Sequence, residues 1–190
     1  MTRTMDDERA LAPEIREVVG RIRGIVPLLN KNAMLGELDR RIPQESFDAL
    51  VKTGAFRVSV PTRFSGYAGN SRASLAVAQE IGRGDGGASW VFGILNSGAW
   101  VLSLMSLQAQ EDVWTAGPDQ LVSIVLAASS KAVREQGGYR VTGKWTYGTG
   151  SRHSHWSLLG VPIEDADGNV VDSGLALIPA SELSLEDTCT

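Results

Sequence analysis

Apolar positions recur at helical spacing through the early part of the chain. Leu11, Ile15, Val18, Val19, Ile22, Val26 and Leu29 fall on one face with Arg and Glu opposite, which predicts a long amphipathic helix over 6–38. Pro27 removes a backbone donor inside it, so a kink or break is expected there. A second helix is expected from Pro43, through Phe47, Leu50 and Val51, to a stop at Gly54. Residues 55–60 read as a short extended piece, and Pro61 with 62–70 as a loop carrying Phe64 and Tyr67. Ser71 or Ser74 is expected to cap the next helix, which runs through Leu75, Val77, Ala78 and Ile81 until the glycines at 82–87 break it. An apolar helix over 88–107 and a short one over 110–114, ended by Gly117-Pro118, complete the helical part.

After Pro118 the period changes to alternation. A β-rich run over 121–128 precedes a hairpin in which 131–136 faces 139–142 across Gly137-Gly138. Tyr139, Val141, Gly143, Trp145 and Tyr147 alternate with Arg140, Thr142, Lys144 and Thr146, which predicts one strand with a packed face and a wet face. Strands over 156–163 and 170–178 flank a turn at 165–169. Helices followed by antiparallel strands make an α+β chain, with an all-helical domain at 1–118 and a β-domain at 119–190. The last residues carry no helix cap, charged tail or terminal turn, so the β-domain is expected to be incomplete and the chain a piece of something longer.

Composition narrows the chemistry. With 43% hydrophobic and 21% charged residues over 190 positions, the chain can bury a core and is not disordered. A net charge of -4 with both signs interspersed provides no basic stripe for nucleic acid. The charge-free stretch at 87–110 carries Ser89, Gly93, Asn96, Ser97, Gly98, Ser103 and Ser106, so it reads as a buried helix and not a membrane span. The single cysteine, Cys189, forms no internal disulfide, and the start of the chain resembles no export signal, which together point to the cytoplasm.

Three letter patterns fail on context. Gly82, Gly84 and Gly87 spell a dinucleotide fingerprint, but a helical stretch precedes them where the phosphate cradle needs a strand, so they read as a hinge. His153 and His155 share a strand face but lack a third metal ligand. Ser129, Ser151 and Ser154 near a histidine suggest hydrolysis, yet no nucleophile elbow is present. The informative stretch is Gly143-Lys144-Trp145-Thr146-Tyr147-Gly148-Thr149-Gly150-Ser151, followed by His153-Ser154-His155-Trp156. It combines flat aromatic faces, hydroxyls and glycines at a strand end, where a planar heterocycle such as a flavin can lie close to backbone.

The order Ile42-Pro43-Gln44-Glu45, Val60-Pro61-Thr62-Arg63-Phe64-Ser65-Gly66-Tyr67, Ala88-Ser89-Trp90-Val91, Asp112-Val113-Trp114 and Gly137-Gly138-Tyr139-Arg140-Val141-Thr142-Gly143 to Trp156 resembles the acyl-CoA dehydrogenase fold. More narrowly, it resembles the reduced-flavin-dependent monooxygenases of that fold, the oxygenase components related to 4-hydroxyphenylacetate and hydroxysteroid-catabolite hydroxylases. The resemblance implies a helical domain, a middle β-domain and a C-terminal four-helix bundle that this chain lacks. It also implies a homo-oligomer, dimer or tetramer, that takes reduced FMN or FAD from a separate reductase and hydroxylates a small aromatic substrate through a flavin hydroperoxide.

Carried over by position, Tyr147 falls where that family stacks an aromatic near the flavin ring, and Thr149 where a hydroxyl or backbone group meets the N5 edge. Gly150 and Ser151 continue that loop. Ser129 and Ser130 fall where the dehydrogenases carry Thr-Glu-Pro and a Gly-Ser-Asp turn, and their presence favours the monooxygenase branch. Relatives often carry a histidine in the apolar helix just before its second Trp, where this chain has Asn96-Ser97-Gly98-Ala99-Trp100, so no catalytic base is assigned. Two other readings stay open: an acyl-CoA dehydrogenase, and a truncated module of this fold without catalysis.

Overall fold

The computed structural model describes residues 10–126, 129–136, 138–165 and 167–187. Helix α1 (Pro13–Asp39) turns Ile15, Val18, Val19, Ile22 and Leu29 inward, the stripe that the spacing predicts. Residues 6–9 of the expected helix lie outside the described ones. Of the kink or break expected at Pro27, the break does not occur: α1 is one helix through that residue. A proline deletes one ladder bond, but tertiary packing of the flanking turns can hold the helix together, and Ile22 and Leu29 are both fully buried.

Helix α2 (Gln44–Thr53) follows Pro43 and stops at Gly54, whose φ of 78° is the left-handed conformation that glycine adopts without strain. The next residues are not extended as predicted. Ala55–Arg57 form a 3₁₀ turn, because Ala55, Phe56, Val58 and Val60 are all buried, which strand alternation does not allow. The loop after Pro61 holds a second such turn, Thr62–Phe64. It is tied back by Tyr67 N–H to the Arg57 carbonyl (3.0 Å) and Gly69 N–H to the Val58 carbonyl (2.7 Å).

Helix α3 (Ser71–Gly82) is capped by Asn70, not by Ser71 or Ser74: the Asn70 side chain accepts from the Ala73 N–H at 3.1 Å. Asp85 caps α4 (Gly86–Ser103) in the same way. Helix α5 (Leu107–Trp114) completes the helical part. The glycine run between α3 and α4 is a helix-to-helix turn, and a Cβ on Gly84 would lie 2.7 Å from that of Leu29, so this glycine serves close packing on α1. Among the described residues no helix is long and apolar enough to cross a membrane.

Among the described residues five strands follow: β1 (Val122–Val125), β2 (Ser129–Glu135), β3 (Gly138–Lys144), β4 (Trp156–Glu164) and β5 (Val170–Pro179). The hairpin β2–β3 and the pair β4–β5 are antiparallel as expected. The sheet is nevertheless mixed, since β4 runs parallel to both β1 and β2. β5 occupies one edge of β4 over its length, so β1 and β2 share the other: Val122 to Val125 pair with Trp156 to Leu159, and Ala132 and Val133 with Ile163 and Glu164. Because β3 runs back against β2, the chain returns toward the start of β1 before β4 begins, and β4 then runs in the direction of both β1 and β2.

The predicted packed face of the Tyr139 strand is not formed. β3 ends at Lys144, and of its residues only Val141 is even partly buried, because β3 pairs with β2 alone among the described residues. The packed part of the sheet is β1, β4 and β5. Val122, Leu158, Trp156, Leu175 and Leu177 on one face meet Ala99, Leu102, Val113 and Trp114 of the helices.

Contact between the two parts is closest where α4 crosses β1. A Cβ on Gly98 would sit 2.1 Å from the Val122 carbonyl oxygen, whereas one on Gly93, in the same helix, would meet nothing within 4 Å. Gly98→Ala is therefore expected to cost about 2–3 kcal/mol by forcing helix and strand apart. Gly93→Ala should be neutral or stabilising by up to about 1 kcal/mol, because a helix favours alanine. Urea unfolding of the two variants checks the contrast.

Candidate functional site

The sheet face turned away from the helices floors a cleft of about 1100 Å³. Alternation places Ser123 and Val125 of β1, Ser157 and Leu159 of β4, and Ala176 and Ile178 of β5 on this floor, in matching register. The stretch 145–153 forms one wall. Tyr139 and residues 141–144 of β3, Arg40 to Ile42, Val91 and residues 182–187 line the rest.

The wall is built by tight turns. Tyr147 has φ 59°, and Thr149 N–H donates to its carbonyl at 2.7 Å. A tyrosine in the left-handed region costs about 1–2 kcal/mol, so the turn carries local strain at the edge of the cleft. The residue is 91% exposed and borders the cleft. Gly150, at φ 77°, is pressed on α4, where a Cβ would approach Leu95 Cδ2 to 2.8 Å. Ser151 N–H closes the next turn onto the Gly148 carbonyl at 3.0 Å.

Under the wall lie three serines. Ser123 Oγ and Ser157 Oγ are 2.8 Å apart and buried, and Ser154 Oγ donates to Ser123 Oγ at 3.3 Å. Ser123 and Ser157 were not among the residues singled out from the sequence, although a lone hydroxyl within each apolar strand run is a visible departure from pattern.

Of the predicted site residues, Tyr147, Thr149, Gly150 and Ser151 come together on the cleft. Ser130 is not among the residues that line it, and the side chain of Ser129 lies outside what the structure describes. Ser129 pairs with Lys144 across the hairpin; Ser130 Oγ donates to the Gly160 carbonyl at 3.3 Å, which also accepts from Trp145 Nε1 at 2.9 Å. Gly160 lies where the neighbour of β4 changes from β1 to β2, and both side chains hydrogen-bond to its carbonyl there. In the stretch lacking the histidine, Asn96 is buried and donates to Ser74 Oγ (3.0 Å), Ser97 Oγ donates to the Gly93 carbonyl (2.8 Å), and Gly98 abuts β1.

The histidines have separate tasks. His155 Nδ1 accepts the Leu121 N–H at 3.0 Å, which puts its proton on Nε2. His153 lines the cleft and stacks on Phe47 with ring centroids 3.8 Å apart and planes at 12°. Among the described residues no three His, Cys, Asp or Glu side chains gather as metal ligands; Cys189 lies outside those residues.

The comparisons agree with this architecture. The family model for the acyl-CoA dehydrogenase N-terminal domain matches residues 6–117, and the chain belongs to that family. It is 33% identical to the oxygenase component of an FADH(2)-dependent resorcinol hydroxylase from Rhizobium sp. (strain MTP-10005), covering 93% of this chain and 43% of that protein. It is 35% identical to the oxygenase subunit of a flavin-dependent monooxygenase from Rhodococcus jostii (strain RHA1), covering 88% and 44%. Among solved structures, 3-HSA hydroxylase from Rhodococcus sp. RHA1 matches with a TM-score of 0.86 at 35% identity, over 92% of this chain and 45% of the other. XiaF from Streptomyces sp., in complex with FADH2 and glycerol, matches with a TM-score of 0.89 at 31% identity, over 93% and 44%. The chain thus spans less than half the length of these relatives.

Burial lowers the His153 pKa below its ordinary 6.5; Asp48 opposes this and Arg152 reinforces it. The native state therefore binds fewer protons than the unfolded chain, and stability present above about pH 6.5 is lost as pH falls through the lower native value. His153→Phe, which keeps the stack on Phe47, should flatten that loss below about pH 6.5 in a series of thermal unfolding curves.

Proposed function

We propose that this chain is the flavin-binding part of the oxygenase component of a two-component monooxygenase, one that hydroxylates a small aromatic substrate with molecular oxygen and reduced FMN or FAD supplied by a separate reductase. The observation that carries the reading is the glycine-hinged turn at 147–151, open to a cleft large enough for a cofactor. The residues present fit an isoalloxazine: an exposed aromatic ring, two small hydroxyls and two glycines whose backbone a flat ligand can approach. A bound reduced flavin would supply the activation of oxygen.

The chain's own residues do the rest. Tyr147 offers a stacking face, and the Thr149 and Ser151 hydroxyls donate hydrogen bonds at the ring edge. Ser123, Ser154 and Ser157 keep the floor rigid by bonding to one another, and the apolar floor residues Val125, Leu159 and Ile178 keep water from that surface. Ser129 and Ser130 support the site indirectly by holding β2 against β3 and β4. We place residues 1–118 and 119–190 as the helical and β-domains, acting in the cytoplasm.

The named relatives support this reading over an acyl-CoA dehydrogenase. Exposed Trp90 and Trp100 on α4 and Leu104 just after it suit burial in a homo-oligomer.

Anaerobic titration with reduced FMN and reduced FAD tests the proposal. At least one should bind saturably, and Thr149→Val should weaken that binding about 3–10-fold, the loss of one hydrogen bond, while leaving the unfolding transition in place. No binding of either flavin overturns the reading.

A further inference from the structure

Among the described residues four cationic side chains line the cleft: Arg40, Arg41, Lys144 and Arg152. Two are already neutralised, since Lys144 meets Glu186 and Arg152 meets Asp187 (2.9 Å). Arg40 and Arg41 have no carboxylate within ion-pair distance among those residues, and Arg41 Nε spends one donor on the Asp39 carbonyl at 3.3 Å. Glu182 lines the same cleft, as do the paired Glu186 and Asp187.

The backbone holds the two arginines at this rim. Arg40 ends α1 with φ 53°, and Arg41 N–H caps the Gly36 carbonyl at 3.1 Å. The stack of Phe47 on His153 then fastens the start of α2, and the arginines just before it, against the 145–153 wall. At about 1100 Å³ the cleft exceeds the roughly 300–1,000 Å³ of single small-ligand pockets, which leaves room beyond a flat ring for a charged tail.

We infer that Arg40 and Arg41 form the anion subsite of this cleft and take the phosphoryl group that FMN and FAD share, while the ring lies at the 147–151 turn. This rests on the proposed flavin site. Guanidinium groups suit the task because they stay charged and present several donors in fixed geometry to phosphate oxygens. The competing role, completing the negative end of the α1 dipole, concerns stability and is indifferent to the ligand.

Riboflavin separates the two, because it carries the same ring and ribityl chain without the phosphate. The chain and its Arg40→Asn/Arg41→Gln variant, in which Asn tolerates the positive φ of position 40, are titrated anaerobically with reduced FMN and reduced riboflavin. The expected result is tighter binding of FMN than of riboflavin by the unaltered chain, with an advantage that shrinks as salt is added. In the variant, the FMN dissociation constant should rise about tenfold and that of riboflavin should stay unchanged. Equal weakening of both ligands, or FMN binding that the variant leaves intact, overturns the phosphate subsite but not the flavin reading. If the unaltered chain binds neither ligand, the flavin reading falls and takes this inference with it.

Discussion

Helix α4 lies flush on the sheet, and the cleft depends on that contact. Gly98 lets the helix backbone reach the Val122 carbonyl, and Leu95, one turn earlier, packs on Gly150. One helix thus positions both the strand that carries Ser123 and the turn that carries Tyr147 and Thr149. Packed interiors deform little, so a displacement at either glycine is transmitted to the wall of the site.

The sheet has an unusual problem at its centre. β4 changes neighbour midway, from β1 to β2, and the chain between those strands passes so close to Gly160 that a Cβ there would lie 2.1 Å from the Leu126 carbonyl oxygen. An unpaired carbonyl at such a place carries a desolvation cost unless a donor reaches it. Two do, the Ser130 hydroxyl and the Trp145 indole. Trp145 begins the stretch that leads to the 147–151 turn, so the same hydrogen bond that completes the sheet also fixes where the wall of the cleft starts.

Charge around the cleft is divided by depth. The floor is apolar apart from Ser123 and Ser157, which are hydrogen-bonded to each other and, through Ser123, to Ser154 beneath the wall, while arginines, a lysine and carboxylates stand at the rim. The exposed pairs Lys144–Glu186 and Arg152–Asp187 are strongly screened by solvent and contribute little to stability. Arg57 differs, because it grips Asp119 with two hydrogen bonds (2.7 and 2.5 Å), which raise its pKa further, and so ties the 55–57 turn to the approach to β1.

Periodicity in the sequence determined the helices, the α+β order and the two hairpin-like strand pairs, since each depends on contacts between near neighbours. The Gly54 stop and the turn at 165–169 were legible for the same reason. So was the association of Tyr147, Thr149, Gly150 and Ser151, which lie within one short stretch. Local pattern could not show that Pro27 sits in an unbroken helix, that Asn70 outcompetes two serines as a cap, or that 55–60 coils to bury nearly every side chain. Each is decided by what packs against it. The parallel pairing of β4, the burial of Ser123 beside Ser157, and the meeting of Arg40 and Arg41 with the 147–151 wall join residues 30 or more positions apart. Only the tertiary structure brings them together, because the free energy of such contacts comes from closing long loops over a shared core and leaves no periodic trace in the chain.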